Sequence, residues 1–194
     1  NAQHATIKGV APLAIGKEIQ LRVYDDPISG KERVLASQKI DVDGSFELKA
    51  IPNGSAQYAF LQVGADCADF FIERDKNLEL SFVPPKEDPN KPKAFNERQF
   101  FIPKITGGTS MKLNEQIIAF NDTLDGFLES IYPELKTRKS PSFVGKQVEQ
   151  FSSAISEKFK GSDTFVLEYI SYSIAGIEQT FLTDRKRLYE KYLK

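Results

Sequence analysis

The sequence predicts an α+β fold, with an antiparallel β-sandwich over residues 1–105 and a helical region of three to four helices over residues 109–194. In the first hundred residues, apolar and polar side chains alternate, which is typical of strands with one buried face. After residue 109 the apolar residues recur every three or four positions, as along one face of a helix. The stretch Gly107-Gly108-Thr109-Ser110 separates the two patterns and therefore marks the boundary.

The composition is that of an ordinary globular chain. Of 194 residues, 40% are hydrophobic and 27% charged. A net charge of −1 and a pI of about 6.0 argue against nucleic acid or an anionic membrane as the main partner, because both favour a basic excess. The longest apolar runs are only a few residues, so we predict no transmembrane segment.

The strongest local signal is the stretch VLASQKIDVDGSFELKA, from Val34 to Ala50. It alternates on both sides of Asp43-Gly44, and Asp-Gly is typical of the tight turn between paired antiparallel strands. We therefore predict a hairpin at the centre of the sandwich. The side chains expected on its inner face share one parity before the turn: Val34, Ala36, Ile40 and Val42.

Turn residues divide the first region into eight short strands, which favours a sandwich. The predicted strands cover residues 3–10, 18–24, 34–42, 45–50, 57–63, 68–73, 78–83 and 99–105. We expect 57–63, which is apolar on both sides, to be central or covered, and 68–73 to pair with 78–83. Pro103 places the last strand at an edge or a bulge. Residues 84–98 hold four prolines and predict a long loop.

Apolar stripes predict three helices, and a further segment carries the pattern to the end of the chain. Thr109 or Ser110 can cap the first helix, and Pro133 is expected to end it. Ser140-Pro141 starts the second, and Gly161 closes it. The third, about 164–182 and capped by Ser162 or Asp163, is apolar around most of its circumference and should be the most buried. The segment from Asp184 ends in mid-pattern, which predicts that the natural chain continues beyond Lys194.

Several acidic residues invite a metal or acid–base interpretation. Asp41-x-Asp43-Gly44 is similar to part of a calcium loop, but Lys39 and Ala50 stand where that loop needs oxygen ligands. We therefore favour a simple turn. The pair Asp25-Asp26 also lies in a predicted turn, where solvated carboxylates are expected.

Cys67 and His4 are each the only residue of their type. A single cysteine forms no intramolecular disulfide and no Cys-x-x-Cys motif. The acids Asp66 and Asp69 should disfavour the thiolate of Cys67, so we predict a structural thiol. His4 lies near the chain end, which disfavours both a Ser-His-Asp device and a zinc site.

Two further features have ordinary interpretations. The amides of Gly107–Ser110 could hold an anion at the start of a helix, although the phosphate-binding loop pattern is absent. The basic loop of Lys136, Arg138 and Lys139 is expected to be solvated. The 15 Phe and 7 Tyr residues lie mostly on predicted core positions, which weakens a carbohydrate-binding interpretation. We assign no catalytic, cofactor-binding or metal-binding residue.

Four stretches together, ATIKGV, IQLRVYDD, LASQKIDVDGSFEL and GGTSMKLNEQIIAFNDTL, carry a family resemblance. The chain resembles the N-terminal region of Gram-negative envelope proteins related to thiol-disulfide oxidoreductases. That resemblance implies a transthyretin-like or carboxypeptidase-regulatory-like sandwich of unassigned function, then a helical region. It also implies a thioredoxin-like domain further along, whose Cys-x-x-Cys has no counterpart in these residues.

These observations lead to two functional hypotheses and leave an enzyme as the least favoured. The first is a non-catalytic accessory or interaction module of a periplasmic or cell-envelope protein, secreted or lipid-anchored, whose partner is another protein or a downstream domain. The start at Asn1 favours a processed chain. The alternative is a small-ligand or glycan-binding module, with its pocket between sandwich and helices. Ligand identity, oligomeric state and the packing of the helices on the sandwich stay open.

Overall fold

A computed structural model describes residues 4–26, 29–86, 97–136 and 141–181. These ranges contain nine strands, three α-helices and one 3₁₀ helix (Pro12–Ala14), so the predicted α+β architecture is confirmed. The strands are β1 (Ala5–Val10), β2 (Glu18–Asp26), β3 (Lys31–Lys39), β4 (Ser45–Ala50), β5 (Ala56–Val63), β6 (Asp66–Glu73), β7 (Asn77–Ser81), β8 (Gln99–Phe101) and β9 (Lys104–Gly107). The helices are α1 (Met111–Lys136), α2 (Pro141–Lys158) and α3 (Thr164–Phe181). The chain divides after Asn114 into two compact units, the β unit and the helical unit.

The β unit contains two sheets, with strand orders β4-β1-β7-β9 and β3-β2-β5-β6-β8. Both sheets are mixed, because β1 pairs with β7 and β6 pairs with β8 in parallel. The prediction of a wholly antiparallel arrangement is therefore wrong. Parallel neighbours arise because the chain changes sheet between consecutive strands, as it does between β6 and β7, so strands that run in the same direction come to lie side by side.

One hydrophobic cluster draws on both sheets and forms the core of the β unit. Its members follow the alternation of the sequence most clearly in β2, β4 and β7, where every second residue is buried. Examples from five strands are Ile7, Leu21, Leu48, Leu61 and Leu80. Each such side chain stabilises the fold by about 1.5–3 kcal/mol relative to exposure. The predicted central position of residues 57–63 is confirmed, because β5 lies between β2 and β6.

The predicted hairpin is wrong in its pairing, although its turn is correct. Gly44 has φ +83° and its amide donates to Asp41 O at 2.9 Å. However, β3 pairs with β2 and β4 pairs with β1, so the turn joins the two sheets. Hydrogen bonds from Ala11 N to Gly44 O and from Ile40 N to Lys17 O hold these residues against the β1–β2 connection.

Two side chains expected inside are consequently exposed. Val42 lies at the turn and is 92% exposed. Val34 lies opposite Arg22 after a register shift between Leu21 and Arg22, which turns its side chain outward. A bulge of this kind reverses the face of the following residues, and the sequence alternation alone does not reveal it.

One other predicted pairing and one predicted strand also fail because strands that follow one another lie in different sheets. β6 pairs with β5 and β8, whereas β7 pairs with β1 and β9, so residues 68–73 and 78–83 are not partners. The predicted strand 99–105 is two strands, β8 and β9, one in each sheet. Pro103 lies between them, and its missing amide explains why neither ladder continues through it.

Side-chain hydrogen bonds attach the first turn of α1 to the strands of the β unit. The Asn114 amide pairs with the backbone of Phe71, because Phe71 N donates to Asn114 Oδ1 at 2.8 Å and Asn114 Nδ2 donates to Phe71 O at 2.9 Å. Ser110 Oγ donates to Glu73 Oε2 at 2.6 Å, and all three polar side chains are buried. These bonds explain why the β unit extends to Asn114.

The helical unit confirms the apolar stripes of the first two predicted helices. The buried residues of these stripes are Leu113, which belongs to the β unit, with Ile117, Phe120 and Ile131 on α1, then Val144, Val148 and Ile155 on α2, and Phe159 directly after α2. Phe127 and Phe151 stack with ring centroids 4.1 Å apart. The prediction that Pro133 ends α1 is wrong, because the helix continues to Lys136. A proline so close to the end of a helix disturbs few hydrogen bonds.

The start of α3 confirms its predicted cap, since Phe165 N donates to Asp163 Oδ1 at 2.9 Å. Its predicted wide burial is wrong in part, because Leu167 and Tyr172 are exposed while one stripe is buried. Ser140, Arg138, Lys139 and the segment from Asp184 lie outside the described residues. Within the part of the chain that is described, each helix is too short or too polar to be a membrane span.

Candidate functional site

The acidic residues singled out in the sequence serve local structure. Asp43 Oδ1 accepts bonds from Ser45 Oγ at 2.7 Å and Ser45 N at 2.9 Å, and these bonds lower the pKa of Asp43. This is the geometry of an Asx turn. Asp25 accepts a 2.7 Å bond from Arg33 Nε. Across residues 4–26, 29–86, 97–136 and 141–181, no three His, Cys, Asp or Glu side chains are grouped as metal ligands would be.

Cys67 is fully buried on β6, and burial raises the pKa of its thiol to about 11. The predicted cause, neighbouring acids, is secondary: Glu32 and Asp66 raise the pKa further, while Arg98 lowers it. The thiol therefore stays protonated at neutral pH, which is unsuited to a nucleophile. His4 is exposed immediately before β1.

The loop Gly107–Ser110 contacts the strands through its two hydroxyl side chains. Thr109 Oγ1 donates to Asn77 Oδ1 at 2.7 Å, and Ser110 Oγ donates to the carboxylate of Glu73. Lys76 Nζ lies 2.5 Å from the other oxygen of that carboxylate. The amides of Thr109 and Ser110 already donate to Asn77 Oδ1 and Asn77 O, which disfavours the anion site considered from the sequence.

The most distinctive surface lies on the outer side of the five-stranded sheet, opposite to the core. Because side chains alternate along a strand, the residues next to the core positions point to this side. Cross-strand neighbours place five aromatic rings there. We call this set the aromatic face: Tyr24, Tyr58, Phe60, Phe71 and Phe100.

The rings of the aromatic face form one connected cluster. Tyr24 stacks with Tyr58 at a centroid distance of 6.1 Å and contacts Phe60 at 5.5 Å. Tyr58 meets Phe71 edge-on at 5.7 Å, and Phe60 meets Phe100 edge-on at 5.5 Å. Such pairs contribute about 0.5–1.5 kcal/mol each beyond area burial, so the rings stabilise one another.

Two arginines and one glutamate lie beside these rings. Glu32 Oε1 pairs with Arg98 Nη1 at 2.5 Å, which raises the pKa of Arg98. Glu32 Oε2 lies 3.2 Å from Arg22 Nε, close enough for an ion pair although the atoms lack hydrogen-bond alignment. The guanidinium of Arg98 lies over the Phe60 ring, 5.8 Å from its centroid, as in a cation–π contact.

A second acidic residue lies among the rings. Tyr58 Oη donates to Asp69 Oδ2 at 3.4 Å, a long bond. Burial raises the pKa of Asp69, and burial together with the charge of Asp69 raises the pKa of Tyr58. The face therefore combines apolar rings with fixed polar groups of both signs.

Exposure of the aromatic face is greatest at its β8 edge. Phe60 is fully buried beneath its neighbours, whereas Phe100 is 45% exposed. Ile102, which follows β8, is 56% exposed. Among the described strands β8 is the last of its sheet, so an apolar surface and a strand edge coincide there. This combination is suited to binding an extended segment through stacking and main-chain hydrogen bonds.

The sequence analysis missed the aromatic face because it assigned most aromatics to the core. One signal was present: residues 57–63 are apolar on both parities, which requires a cover on each side of β5. Arg98 was placed in the proline-rich loop, yet it is partly buried over Phe60. Residues 87–96 of that predicted loop lie outside the described part. The contact of Arg98 with a strand distant in the sequence produces no periodic pattern that sequence analysis could detect.

No family model matches the chain, and a search of curated proteins finds no match.

Proposed function

We propose that this chain is a non-catalytic interaction module whose aromatic face binds a segment of another protein or of a downstream domain. The observation that carries the proposal is the cluster of five rings beside the Arg22–Glu32–Arg98 network, outside the core. Tyrosine, phenylalanine and arginine are enriched in protein interfaces, and tyrosine and arginine often supply most of the binding energy.

Preorganisation supports the same proposal. The carboxylate of Glu32 contacts both guanidinium groups, and Phe60 lies under one of them, so these long side chains are already ordered. Ordering a flexible side chain at an interface costs roughly 0.5–1.5 kcal/mol, and a face that is already ordered avoids much of that cost. The exposed pair Phe100 and Ile102 would make the first contacts, and the edge of β8 would supply main-chain hydrogen bonds.

The type of sandwich, the location and the family of the protein are proposed chiefly from the sequence. We propose that the two sheets form a transthyretin-like sandwich, and that the chain belongs to a periplasmic or envelope protein as the N-terminal region of a thioredoxin-like oxidoreductase. The support is the resemblance of the stretches ATIKGV, IQLRVYDD, LASQKIDVDGSFEL and GGTSMKLNEQIIAFNDTL. The observation that two sheets share one hydrophobic cluster is consistent with a sandwich.

Site-specific photo-cross-linking tests the interaction. A benzophenone amino acid replaces Phe100 in one variant and Val42, which is 92% exposed on the turn before β4, in a matched control. We expect position 100 to give one dominant protein adduct in cells of the source organism, and position 42 to give none. The adduct should be lost when Arg98→Ala is added, since that change removes the cover of Phe60.

Binding of the identified partner then gives a quantitative check. We expect Phe100→Ala to raise the Kd at least about tenfold, as for a central interface aromatic, and Val42→Ala to leave it unchanged. Equal adducts at positions 100 and 42, or a Kd insensitive to Phe100→Ala, would contradict the proposal.

A specific observation also favours the alternative of a small-ligand module. A depression of about 350 Å³ is lined by Lys17, Glu18, Gln20, Gln62 and Gly64. Gln62 Oε1 is buried and, within the described residues, has no hydrogen-bond partner. A buried acceptor left unpaired costs about 1–3 kcal/mol, which a hydroxyl donor of a sugar could recover.

Titration calorimetry with neutral oligosaccharides distinguishes the two functions. If the alternative holds, binding should weaken in Gln62→Met and persist in Phe100→Ala, because only the first change removes the acceptor. If the interaction module holds, no sugar binds and the two variants differ only towards the protein partner.

A further inference from the structure

Asp69 places a carboxylate among the rings of the aromatic face. It lies on β6 directly opposite Phe60 of β5, and its side chain shares the outer side of the sheet with those of Cys67 and Phe71. This half-buried carboxylate accepts one side-chain hydrogen bond, from Tyr58 Oη at the long distance of 3.4 Å. No lysine or arginine of the described residues forms an ion pair with it. Its charge is therefore weakly compensated.

The two arginines beside the rings do not compensate this carboxylate. Arg22 and Arg98 both lie against Glu32. Burial raises the pKa of Asp69, hydrogen bonds from its own amide and from Tyr58 lower it, and neither guanidinium contributes. A half-buried carboxylate loses part of its hydration, and a cation beside it would offset that loss. The free protein therefore bears a cost at Asp69 that a bound cation would remove.

The surroundings of Asp69 favour a cation over a neutral group. Phe60 lies opposite it, and Phe100 lies opposite Cys67, the neighbour of Asp69 on the same side of β6. Aromatic rings attract a cation through the negative potential over their faces. Phe100 is 45% exposed and Ile102, just beyond β8, is 56% exposed, so a partner can approach from the β8 side.

We propose that the segment bound by the aromatic face carries a basic side chain, lysine or arginine, whose cationic group binds the carboxylate of Asp69. This inference rests on the proposed function, because it identifies the chemistry of the segment that the face binds. The hydrocarbon arm of the basic side chain packs on Phe100 and Ile102, and its charge meets that of Asp69. Charge-assisted hydrogen bonds are about twice as strong as neutral ones. Because this one forms only in the complex, a carboxylate that costs stability in the free protein contributes to binding.

Selection from a library of random nonapeptides displayed on phage, with the full chain as the target, tests the inference. Clones that no longer bind Phe100→Ala are those that occupy the aromatic face. We expect these clones to share a lysine or arginine next to apolar residues, and the same selection on Asp69→Asn to enrich no basic residue. Absence of any clone that depends on Phe100 would contradict the proposed function and this inference together. Clones that depend on Phe100 but share no basic residue would refute the inference alone.

Calorimetry with one selected peptide and a matched analogue quantifies the effect. The analogue has norleucine in place of the basic residue, which keeps an apolar arm and removes the charge. We expect this replacement to raise the Kd at least about tenfold in the unchanged chain and less than about twofold in Asp69→Asn. Asp75→Asn makes the same change in charge at an exposed position in the turn after β6, and it should leave the ratio as in the unchanged chain.

The readout is the ratio of two affinities within one variant, so a change in the stability of that variant does not imitate the result. An equal ratio in Asp69→Asn and in the unchanged chain would place the cation elsewhere and overturn the inference. Loss of the ratio in Asp75→Asn as well would attribute the effect to net charge and overturn it too.

Discussion

Gly108, which precedes α1, provides the sharpest test of how that helix begins. Its φ is +100°, and a Cβ atom at this position would lie 2.4 Å from Asn77 O and 2.8 Å from Leu78 Cα. Both contacted atoms belong to the backbone of β7, so no side-chain rotation relieves them. Gly108→Ala must therefore strain its own backbone and displace the strand.

The expected loss in the free energy of unfolding of Gly108→Ala has two contributions. A non-glycine residue in the left-handed region costs about 1–2 kcal/mol. Relieving the contact needs a shift of roughly 1 Å to reach an ordinary C···O distance. That shift would break the bonds from Ser110 N to Asn77 O, now 3.0 Å, and from Thr109 N to Asn77 Oδ1, now 3.1 Å. At about 1 kcal/mol for each bond, the variant should lose about 3–4 kcal/mol.

Urea unfolding followed by circular dichroism measures the loss. Gly161→Ala is the matched control, because Gly161 has φ +82° and a Cβ added there would meet no atom within 4 Å. It should lose only the conformational contribution, about 1–2 kcal/mol. If Gly108→Ala is no more destabilising than Gly161→Ala, the close approach between the loop and β7 is refuted.

Three further predictions concern a buried thiol, a buried amide and a half-buried carboxylate. Cys67 should react with a thiol reagent at pH 7 at least about a hundredfold more slowly than in the urea-unfolded chain, because its pKa of about 11 suppresses the thiolate; comparable rates would contradict its burial. Asn114→Leu should destabilise the chain by about 2–5 kcal/mol in urea unfolding, since it removes both hydrogen bonds between the Asn114 side chain and the backbone of Phe71; a loss below about 1 kcal/mol would contradict the pairing. Asp69→Asn should stabilise the chain at pH 7 and not at pH 3. The pKa of Asp69 is higher in the folded than in the unfolded chain, so stability is lost as the pH rises through the folded-state pKa. Equal urea midpoints for the variant and the unchanged protein at pH 7 would refute this prediction.

The sequence predicts local structure well where one strand or helix determines its own pattern. The alternation in β2 and the cap of α3 by Asp163 both depend on neighbouring residues, and both are confirmed. Pairing depends instead on distant residues. Asp43-Gly44 makes the predicted turn, but nothing in the stretch from Val34 to Ala50 specifies that its two strands enter different sheets. The register of a turn is local information, whereas the choice of sheet is not.

The candidate site, too, could be predicted only in the part that depends on neighbouring residues. The outward position of Tyr58 and Phe60 follows from period-two alternation once the inner face of β5 is known. The position of Arg98 over Phe60 does not, because the two residues meet only through the pairing of β6 with β8. Sequence analysis could therefore predict that both faces of β5 are packed against other residues, but not which residues pack on its outer face.

The residues that pack on the outer face of β5 are themselves an argument for function. A purely structural cover would be most stable if it were apolar, because partly buried charges lose hydration that an ion pair only partly restores. Here the cover of Phe60 includes the guanidinium of Arg98, held by Glu32, and the apolar surface continues outward to Phe100. Charged groups beside an exposed ring give direction and specificity to an approaching partner, which packing alone does not require. The arrangement therefore supports the proposal that this surface recognises a partner.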